Sequence, residues 1–135
     1  MPPSRRKISS GAPWEESVGY SRAVRVGDRV VVAGTCARPP FARLGSSEEA
    51  YRQAKEALAL IRQALEEAGA RLEDVIRTRI YVTHIERDAG MIGRAHQEAF
   101  GSIRPATSMV EVSRLIDKKM LVEIEAEAIV AAPDR

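Results

Sequence analysis

Near its carboxyl end the sequence reads Arg104-Pro-Ala-Thr-Ser-Met-Val-Glu-Val-Ser-Arg-Leu115, followed by Leu121-Val-Glu-Ile-Glu-Ala-Glu-Ala-Ile-Val130. Polar and apolar side chains alternate in both runs, which predicts two strands, paired with each other, in a sheet with one apolar face. Ser108, Val110 and Val112 are expected on that apolar face. The opposite face would carry four glutamates: Glu111, Glu123, Glu125 and Glu127. Because neighbouring carboxylates repel one another, cations, protons or a ligand should lie among them, and we expect function there.

The length and charge of the chain limit the classes of protein to consider. With 135 residues we expect a single domain over 1–135, of which residues 1–13 form a loosely ordered arm. The 21 basic and 19 acidic residues are interspersed and leave a formal net charge of +2. This balance argues against nucleic acid and an anionic membrane surface as partners.

Cysteine content and hydropathy bear on the cellular compartment. Cys36 is the single cysteine, so neither an intrachain disulfide nor a multi-cysteine metal cage is expected. The basic start of the chain is not followed by an apolar run, and no stretch approaches the length of a membrane span. We therefore expect a cytoplasmic location.

The remaining elements follow from periodicity and turn residues. A hairpin is predicted from Ser17–Val26 and Arg29–Thr35, joined by a Gly-Asp turn. A helix should begin after Ser46, which forms a capping box with Glu49, and stop at Gly69. Period two returns from Arg71 to Ile85, with Ile76, Thr78, Ile80 and Val82 on one face. A second helix is expected from about Asp88 to Phe100.

The predicted order is ββαβαββ, an α+β fold with two helices packed on one face of the sheet. Two helices cannot cover both faces, so the second face should meet another copy of the chain. Arg77 and Arg79 are expected to pair with the glutamate row inside that interface.

Short motifs along nearly the whole chain resemble the Rid family of reactive-intermediate imine/enamine deaminases, also called the YjgF or translation-inhibitor family. The motifs are Gly19-Tyr20-Ser21-Arg22-Ala23-Val24, Val32-Ala-Gly34, Glu67-Ala-Gly-Ala70 before Asp74-Val75, Phe100-Gly101 before Arg104-Pro-Ala106, and Val110-Glu-Val112 with Val122-Glu-Ile-Glu-Ala126. The resemblance implies a chorismate-mutase-like mixed β-sheet, a homotrimer and three clefts between subunits. It also implies hydrolysis of small imines or enamines with no metal or organic cofactor.

The resemblance assigns roles to individual positions. Tyr20 matches a tyrosine near the cleft, and Glu123 matches a glutamate that positions or activates the attacking water. Thr107 departs from the pattern, because active deaminases carry an arginine there that holds the substrate carboxylate. Met109 replaces a small thiol-bearing side chain. Backbone amides around Thr107 and Ser108 are expected to orient water and substrate.

Other candidate residues have a functional and a structural interpretation. Glu123 is either a general base or the ion-pair partner of Arg77 or Arg79. Tyr20 and Arg22 either contact the ligand, with Arg22 supplying the cation missing at Thr107, or belong to a subunit interface. Gly34 marks a bulge or a wall of the site. Cys36 either edges the cleft or is a buried apolar residue. His84 and His96 lack zinc-site spacing and are expected in solvent.

Three functions are compatible with these observations. The first is an enzyme acting on small imines, enamines or related carbonyl compounds, such as a 2-iminobutanoate/2-iminopropanoate deaminase with reduced activity on carboxylate-bearing imines. The second is a non-catalytic small-molecule binder or regulatory trimer. The third, a ribonuclease or translation inhibitor, is disfavoured by the mixed charges.

Overall fold

The computed structural model describes residues 4–131 of the chain. These residues form six strands and two long helices. The strands are β1 (Arg5–Ile8), β2 (Ala23–Val26), β3 (Arg29–Thr35), β4 (Val75–Val82), β5 (Ala106–Glu111) and β6 (Val122–Ile129). The helices are α1 (Ser47–Glu67) and α2 (Ile85–Phe100), with a π-helical turn at Glu15–Gly19 and a 3₁₀ turn at Leu72–Asp74.

All six strands belong to one mixed sheet in the order β1-β2-β3-β6-β4-β5. β4 and β5 run parallel, and the other neighbours are antiparallel. The prediction that the two carboxyl-terminal strands pair with each other is wrong, because β4 lies between β5 and β6. A parallel neighbour for β5 requires a crossover connection, and α2 supplies it.

The expected loose arm is wrong for residues 5–8, which form edge strand β1 against β2. Ile8 is buried in the core, so this short basic segment is held by an apolar contact as well as by its ladder. The observed element order therefore has one strand more than predicted at its start. Residues 1–3 of the expected arm lie outside the described residues.

One face of the sheet and the apolar faces of both helices enclose the core. From β6 it receives Val122, Ile124, Ala126 and Ala128, as the alternation predicted. Ser46 accepts a hydrogen bond from the backbone N–H of Glu49, which confirms the predicted helix start. α2 begins at Ile85, three residues earlier than predicted, because the Glu111 carboxylate accepts the first backbone N–H of the helix.

Two side-chain faces differ from the prediction. On β5 the core side carries Met109, whereas Val110 is 47% exposed. Glu111 is therefore not part of the glutamate row. On β4 an irregularity between Val75 and Arg77 buries Val75 and leaves Ile76 exposed, which inverts the predicted phase at that end of the strand.

Within the described residues, neither long helix has the length and apolar character needed to cross a membrane.

Candidate functional site

The face of the sheet that the helices leave open carries a row of charged and aromatic side chains. Arg79 lies 3.2 Å from a carboxylate oxygen of Glu127 and 3.9 Å from one of Glu125, and Tyr81 donates a 2.8 Å hydrogen bond to Glu125. Arg29 makes a second ion pair with Glu127 at 2.9 Å. The predicted charge balance is therefore correct for Arg79. Arg77, which faces Glu127 in the register, has no ion pair among residues 4–131.

Glu123 has a different environment from the rest of the row. Its Oε1 lies 3.4 Å from the Cys36 sulfur, and no arginine or lysine forms an ion pair with it in the described part of the chain. Within one chain, neither Arg77 nor Arg79 therefore forms the expected ion pair with Glu123, and a pair across the subunit interface stays a prediction. The Cys36 thiol is the hydrogen-bond donor, because burial, followed by the nearby Glu123 charge, raises its pKa and keeps it protonated.

Gly34 makes room for the Glu123 carboxylate. A Cβ atom at position 34 would lie 2.5 Å from Oε2 and 2.8 Å from Cδ of Glu123, so any other residue would force the Glu123 carboxylate out of this position. The register between β3 and β6 shifts between Val32 and Thr35, next to the glycine. Both sequence interpretations of Gly34, an irregularity in the strand and a wall of a site, are therefore consistent with this position.

Arg22 links Tyr20 to the same bulge. Its Nη1 donates to the carbonyl oxygen of Gly34 at 2.7 Å and to Oγ1 of Thr35 at 3.0 Å, and Nη2 donates to the Tyr20 hydroxyl at 3.3 Å. The guanidinium also lies 5.6 Å from the centre of the Tyr20 ring. The structure thus brings together four of the predicted site residues, Tyr20, Arg22, Gly34 and Glu123, with Cys36. We call these five residues the Glu123 cluster.

An open groove of about 680 Å³ adjoins Tyr20. Its lining includes Lys7 and Arg5 from β1 and Glu15 from the following turn. Sequence reasoning missed these side chains because the segment was expected to be a loose arm. The signal that could have located β1 is weak, since a single buried apolar residue, Ile8, holds it to the core.

Thr107, Ser108 and Met109 lie apart from the Glu123 cluster within one chain. They belong to the edge strand β5, two strands away from β6. Thr107 is in register with Thr78, which faces the helices, so its side chain lies on the opposite side of the sheet from Glu123. Met109 packs against the core, and Ser108 is exposed on the open side.

His96 is not in solvent as predicted, although His84 is exposed. The His96 ring is half-buried beside the Phe100 ring, with Nε2 2.8 Å from Oγ1 of Thr78. Burial lowers the pKa of His96 below its ordinary value. Within residues 4–131, no group of three or more His, Cys, Asp or Glu side chains is arranged to hold a metal ion.

A mixed six-stranded sheet covered on one face by two helices, with a polar cluster at a strand irregularity on the other face, defines a chorismate-mutase-like α+β protein of the Rid type. Comparison with known proteins agrees with this class. The family described as Endoribonuclease L-PSP matches residues 12–130. The chain therefore belongs to this family, which is also known as the YjgF or Rid family.

Individual relatives support the same assignment. The chain is 45% identical over 129 residues to the uncharacterized protein SCO2049 of Streptomyces coelicolor, covering 96% of this chain and 95% of that protein. It is 29% identical over 114 residues to the 2-iminobutanoate/2-iminopropanoate deaminase of Salmonella typhimurium, covering 82% and 86%. Among solved structures, Rv2704 of Mycobacterium tuberculosis, a YjgF/YER057c/UK114 family member, superposes with a TM-score of 0.85 at 52% identity, covering 94% of this chain and 100% of that one.

Proposed function

We propose that the protein is a homotrimer that binds small imines, enamines or related carbonyl compounds in clefts between its subunits and hydrolyses them with Glu123. The observation that carries the proposal is the Glu123 cluster, in which Gly34 makes room for the carboxylate and Cys36 holds one of its oxygens. Among the described residues none donates a hydrogen bond to Oε2 of Glu123, so this oxygen can accept one from water.

The open face of the sheet supports assembly. Val31, Val110 and Ile129 are each more than 40% exposed on this face, beside the row of half-buried glutamates. Covering such a surface with a second copy removes apolar area from water at about 25 cal/mol per Å². In a trimer, the Glu123 cluster of one copy and the Thr107–Met109 segment of an adjoining copy would line the same cleft. The two parts of the site, which lie apart within one chain, would then be neighbours.

The chemistry fits a carboxylate without a metal. Water adds to the carbon of the C=N bond while Glu123 accepts one of its protons, and the imine nitrogen takes up a proton from solvent. The resulting carbinolamine loses ammonia as the C–N bond breaks, the C=O bond forms and the hydroxyl proton passes to solvent. Glu123 can return its proton to the departing nitrogen, so it acts first as a base and then as an acid.

The exposed hydroxyl of Thr107 determines which substrates suit the cleft. A hydroxyl makes a neutral hydrogen bond, whereas arginine would hold a carboxylate by two charge-assisted ones, each worth about 1.5–3 kcal/mol. Carboxylate-bearing imines are therefore expected to be hydrolysed slowly, and imines without a carboxylate lose nothing by the replacement.

An amino-acid oxidase with semicarbazide as the trap tests the proposal. The oxidase generates the imino acid, and a hydrolase competes with the trap for it. We expect weak hydrolysis by the wild type and faster hydrolysis by Thr107→Arg. Ser102→Arg, which adds the same charge at an exposed turn position, should leave the rate unchanged. Activity equal to that of an arginine-bearing relative in the wild type, or an equal gain in both variants, would contradict the role given to Thr107.

A non-catalytic binder is the second candidate, and the uncharged Thr107 favours it. Saturable binding of 2-oxobutanoate, the hydrolysis product of 2-iminobutanoate, with no hydrolysis of either kind of imine by wild type and Thr107→Arg, would select this candidate. The ribonuclease role in the family description is disfavoured, because the described part of the open face alternates Arg79 and Arg29 with glutamates instead of forming a basic stripe for a phosphate backbone.

A further inference from the structure

Three hydrogen-bonded side chains, His96, Thr78 and Thr107, connect the interior of the protein to its surface, and we call them the relay. Nε2 of His96 lies 2.8 Å from Oγ1 of Thr78, which lies 2.8 Å from Oγ1 of Thr107. The Thr107 oxygen is in turn 3.1 Å from the carbonyl oxygen of Pro105. The relay ends at Thr107, the position at which active deaminases carry an arginine.

Thr78, the middle residue of the relay, is closed to solvent. Thr78 is 1% exposed, so within residues 4–131 its hydroxyl has only these two side-chain partners and cannot turn to water. A buried hydroxyl left without a partner costs about 1–3 kcal/mol, which keeps the three groups coupled. Thr107 at the outer end is exposed and is free to meet a ligand.

Each threonine hydroxyl has one hydrogen to donate. The presence or absence of a proton on Nε2 of His96 therefore sets the direction of every hydrogen bond in the relay. If Nε2 carries no proton, Thr78 donates to it and must accept the hydrogen of Thr107, whose hydroxyl then offers only lone pairs outward. If Nε2 carries a proton, it donates to Thr78, Thr78 donates to Thr107, and Thr107 donates to Pro105. The solvent-side bond to Pro105 can be exchanged for one to a ligand oxygen.

We propose that neutral His96 carries its proton on Nδ1, and that His96 is a positioning residue that acts through Thr78 to determine whether the Thr107 hydroxyl donates to a ligand or accepts from it. A protonated His96 makes Thr107 a donor and compensates in part for the missing arginine. The inference rests on the proposed function only for the placement of a ligand beside Thr107. The relay itself is a property of the unliganded chain.

On the elements packed against His96, the charged and phenolic side chains either have partners of their own or lie on the other face of the sheet. On α1, Lys55 and Tyr51 are bound to Glu98. On the 3₁₀ turn, Asp74 accepts the backbone N–H of Arg71. Arg77 and Arg79 of β4 lie on the other face of the sheet, Arg94 stacks over Tyr51, and Glu111 caps the far end of α2. The hydrogen bonds through Thr78 are the contacts by which the protonation of His96 reaches Thr107.

The direction of the pH dependence follows. A carboxylate ligand prefers the form in which Thr107 donates, so its affinity should rise as the pH falls through the pKa of His96. By linkage the bound carboxylate should raise that pKa. His84 is the only other histidine and is exposed, so few other side chains titrate between about pH 5 and 8.

The test combines histidine NMR with calorimetry, using 2-oxobutanoate as the probe. In the unliganded protein, Thr78→Val and Thr107→Val should both change the titration of His96, and Thr78→Ser should restore it. His84→Asn serves as the control and should leave the His96 titration unchanged.

Calorimetry should show that wild type binds the probe about three- to tenfold more tightly near pH 5 than near pH 8, which corresponds to one gained hydrogen bond. This pH dependence should be lost in Thr78→Val and retained in Thr78→Ser and His84→Asn.

The outcomes separate the relay from the proposed function. An unchanged His96 titration in both valine variants would overturn the relay. Binding that does not depend on pH, or a dependence that survives in Thr78→Val, would overturn the control of Thr107 by His96 and leave the proposed function standing. If the probe does not bind while the titration responds as expected, the proposed ligand site fails, and with it the ligand-linked part of the inference.

Discussion

The Cys36 thiol donates a hydrogen bond to Oε1 of Glu123 across 3.4 Å, from the end of β3 to the start of β6. The contact joins residues 87 positions apart and fixes one oxygen of the only glutamate in its strand that lacks a cationic or phenolic partner among the described residues. The second oxygen lies against Gly34. Both neighbours of the Glu123 carboxylate, Cys36 and Gly34, are therefore expected to respond to changes at position 123.

Cys36 should be slow to react although it is not fully buried. Burial and the Glu123 charge raise its pKa, so the thiolate that attacks an alkylating reagent is scarce near neutral pH. Mass spectrometry should show slower modification by iodoacetamide in the native protein than in urea. Glu123→Gln should accelerate the native reaction, whereas Glu125→Gln should not. Equal rates in native wild type and Glu123→Gln would contradict the contact.

Gly34→Ala should displace the Glu123 side chain, because the new Cβ would overlap Oε2 and Cδ. Because the overlapping atoms belong to the end of a flexible side chain, we expect a small loss of about 0.5–1 kcal/mol in the free energy of unfolding, measured with urea. In a background of Glu123→Ala the same substitution should cost much less, since the overlapping atoms are gone. Gly90→Ala is the control: nothing lies within 4 Å of its Cβ, and helix propensity predicts a gain of about 0.5–1 kcal/mol. Additive costs in the double variant would contradict the predicted overlap.

Glu49 should make stability depend on pH. The hydrogen bond from Arg52, followed by those from Gln53 and Ala42, lowers its pKa from 4.5 to about 2. Because the folded-state pKa is the lower one, the contribution is present above pH 4.5 and is lost as the pH falls towards 2. Arg52 is 45% exposed, so we expect a modest loss of about 1–2 kcal/mol over this interval.

Unfolding in urea at several pH values measures the Glu49 contribution. Glu49→Gln should remove this part of the acid sensitivity. Glu66→Gln, which breaks an exposed i, i+4 pair on the same helix, should leave it in place. An acid profile that is the same in wild type and Glu49→Gln would contradict the prediction.

Light scattering should give three times the mass of one chain. Val110→Glu introduces a charge on the open face and should lower the mass towards that of the monomer, because a desolvated carboxylate without a partner is costly. Leu44→Glu, at a loop residue that is 72% exposed, should leave the trimer intact. A monomeric wild type at working concentrations would remove the basis for clefts between subunits.

Local signals in the sequence predicted much of the fold. The alternation in β6 placed Ile124 in the core and Glu123 on the open face, and the Ser46–Glu49 box fixed the start of α1. The pairing of β5 could not be predicted in the same way, because strand neighbours depend on the crossover through α2 and leave no local trace. β1 was missed because its four residues include three basic side chains and only Ile8 is apolar.

The candidate site could be predicted only in part. The family motifs assigned Tyr20 and Glu123 to the site, a glycine inside a strand pointed to Gly34, and the structure brings these three together with Arg22. The Cys36 contact depends on the irregularity between Val32 and Thr35, which alternation does not reveal. His96 was assigned to solvent because a histidine on an amphipathic helix gives no sign of the buried threonine it meets.

Hydrolysis by matched glutamine variants tests the role of Glu123 most directly. Glu123→Gln and Glu125→Gln remove the same charge from the same strand, two residues apart, but only the first alters the Glu123 cluster. Both should be trimeric, and imine hydrolysis in the semicarbazide assay should be measured on the Thr107→Arg background. We expect Glu123→Gln to lower kcat about 100-fold or more, in the range of a lost general acid–base, with little change for Glu125→Gln. Equal rates in the two variants would contradict a catalytic role for Glu123.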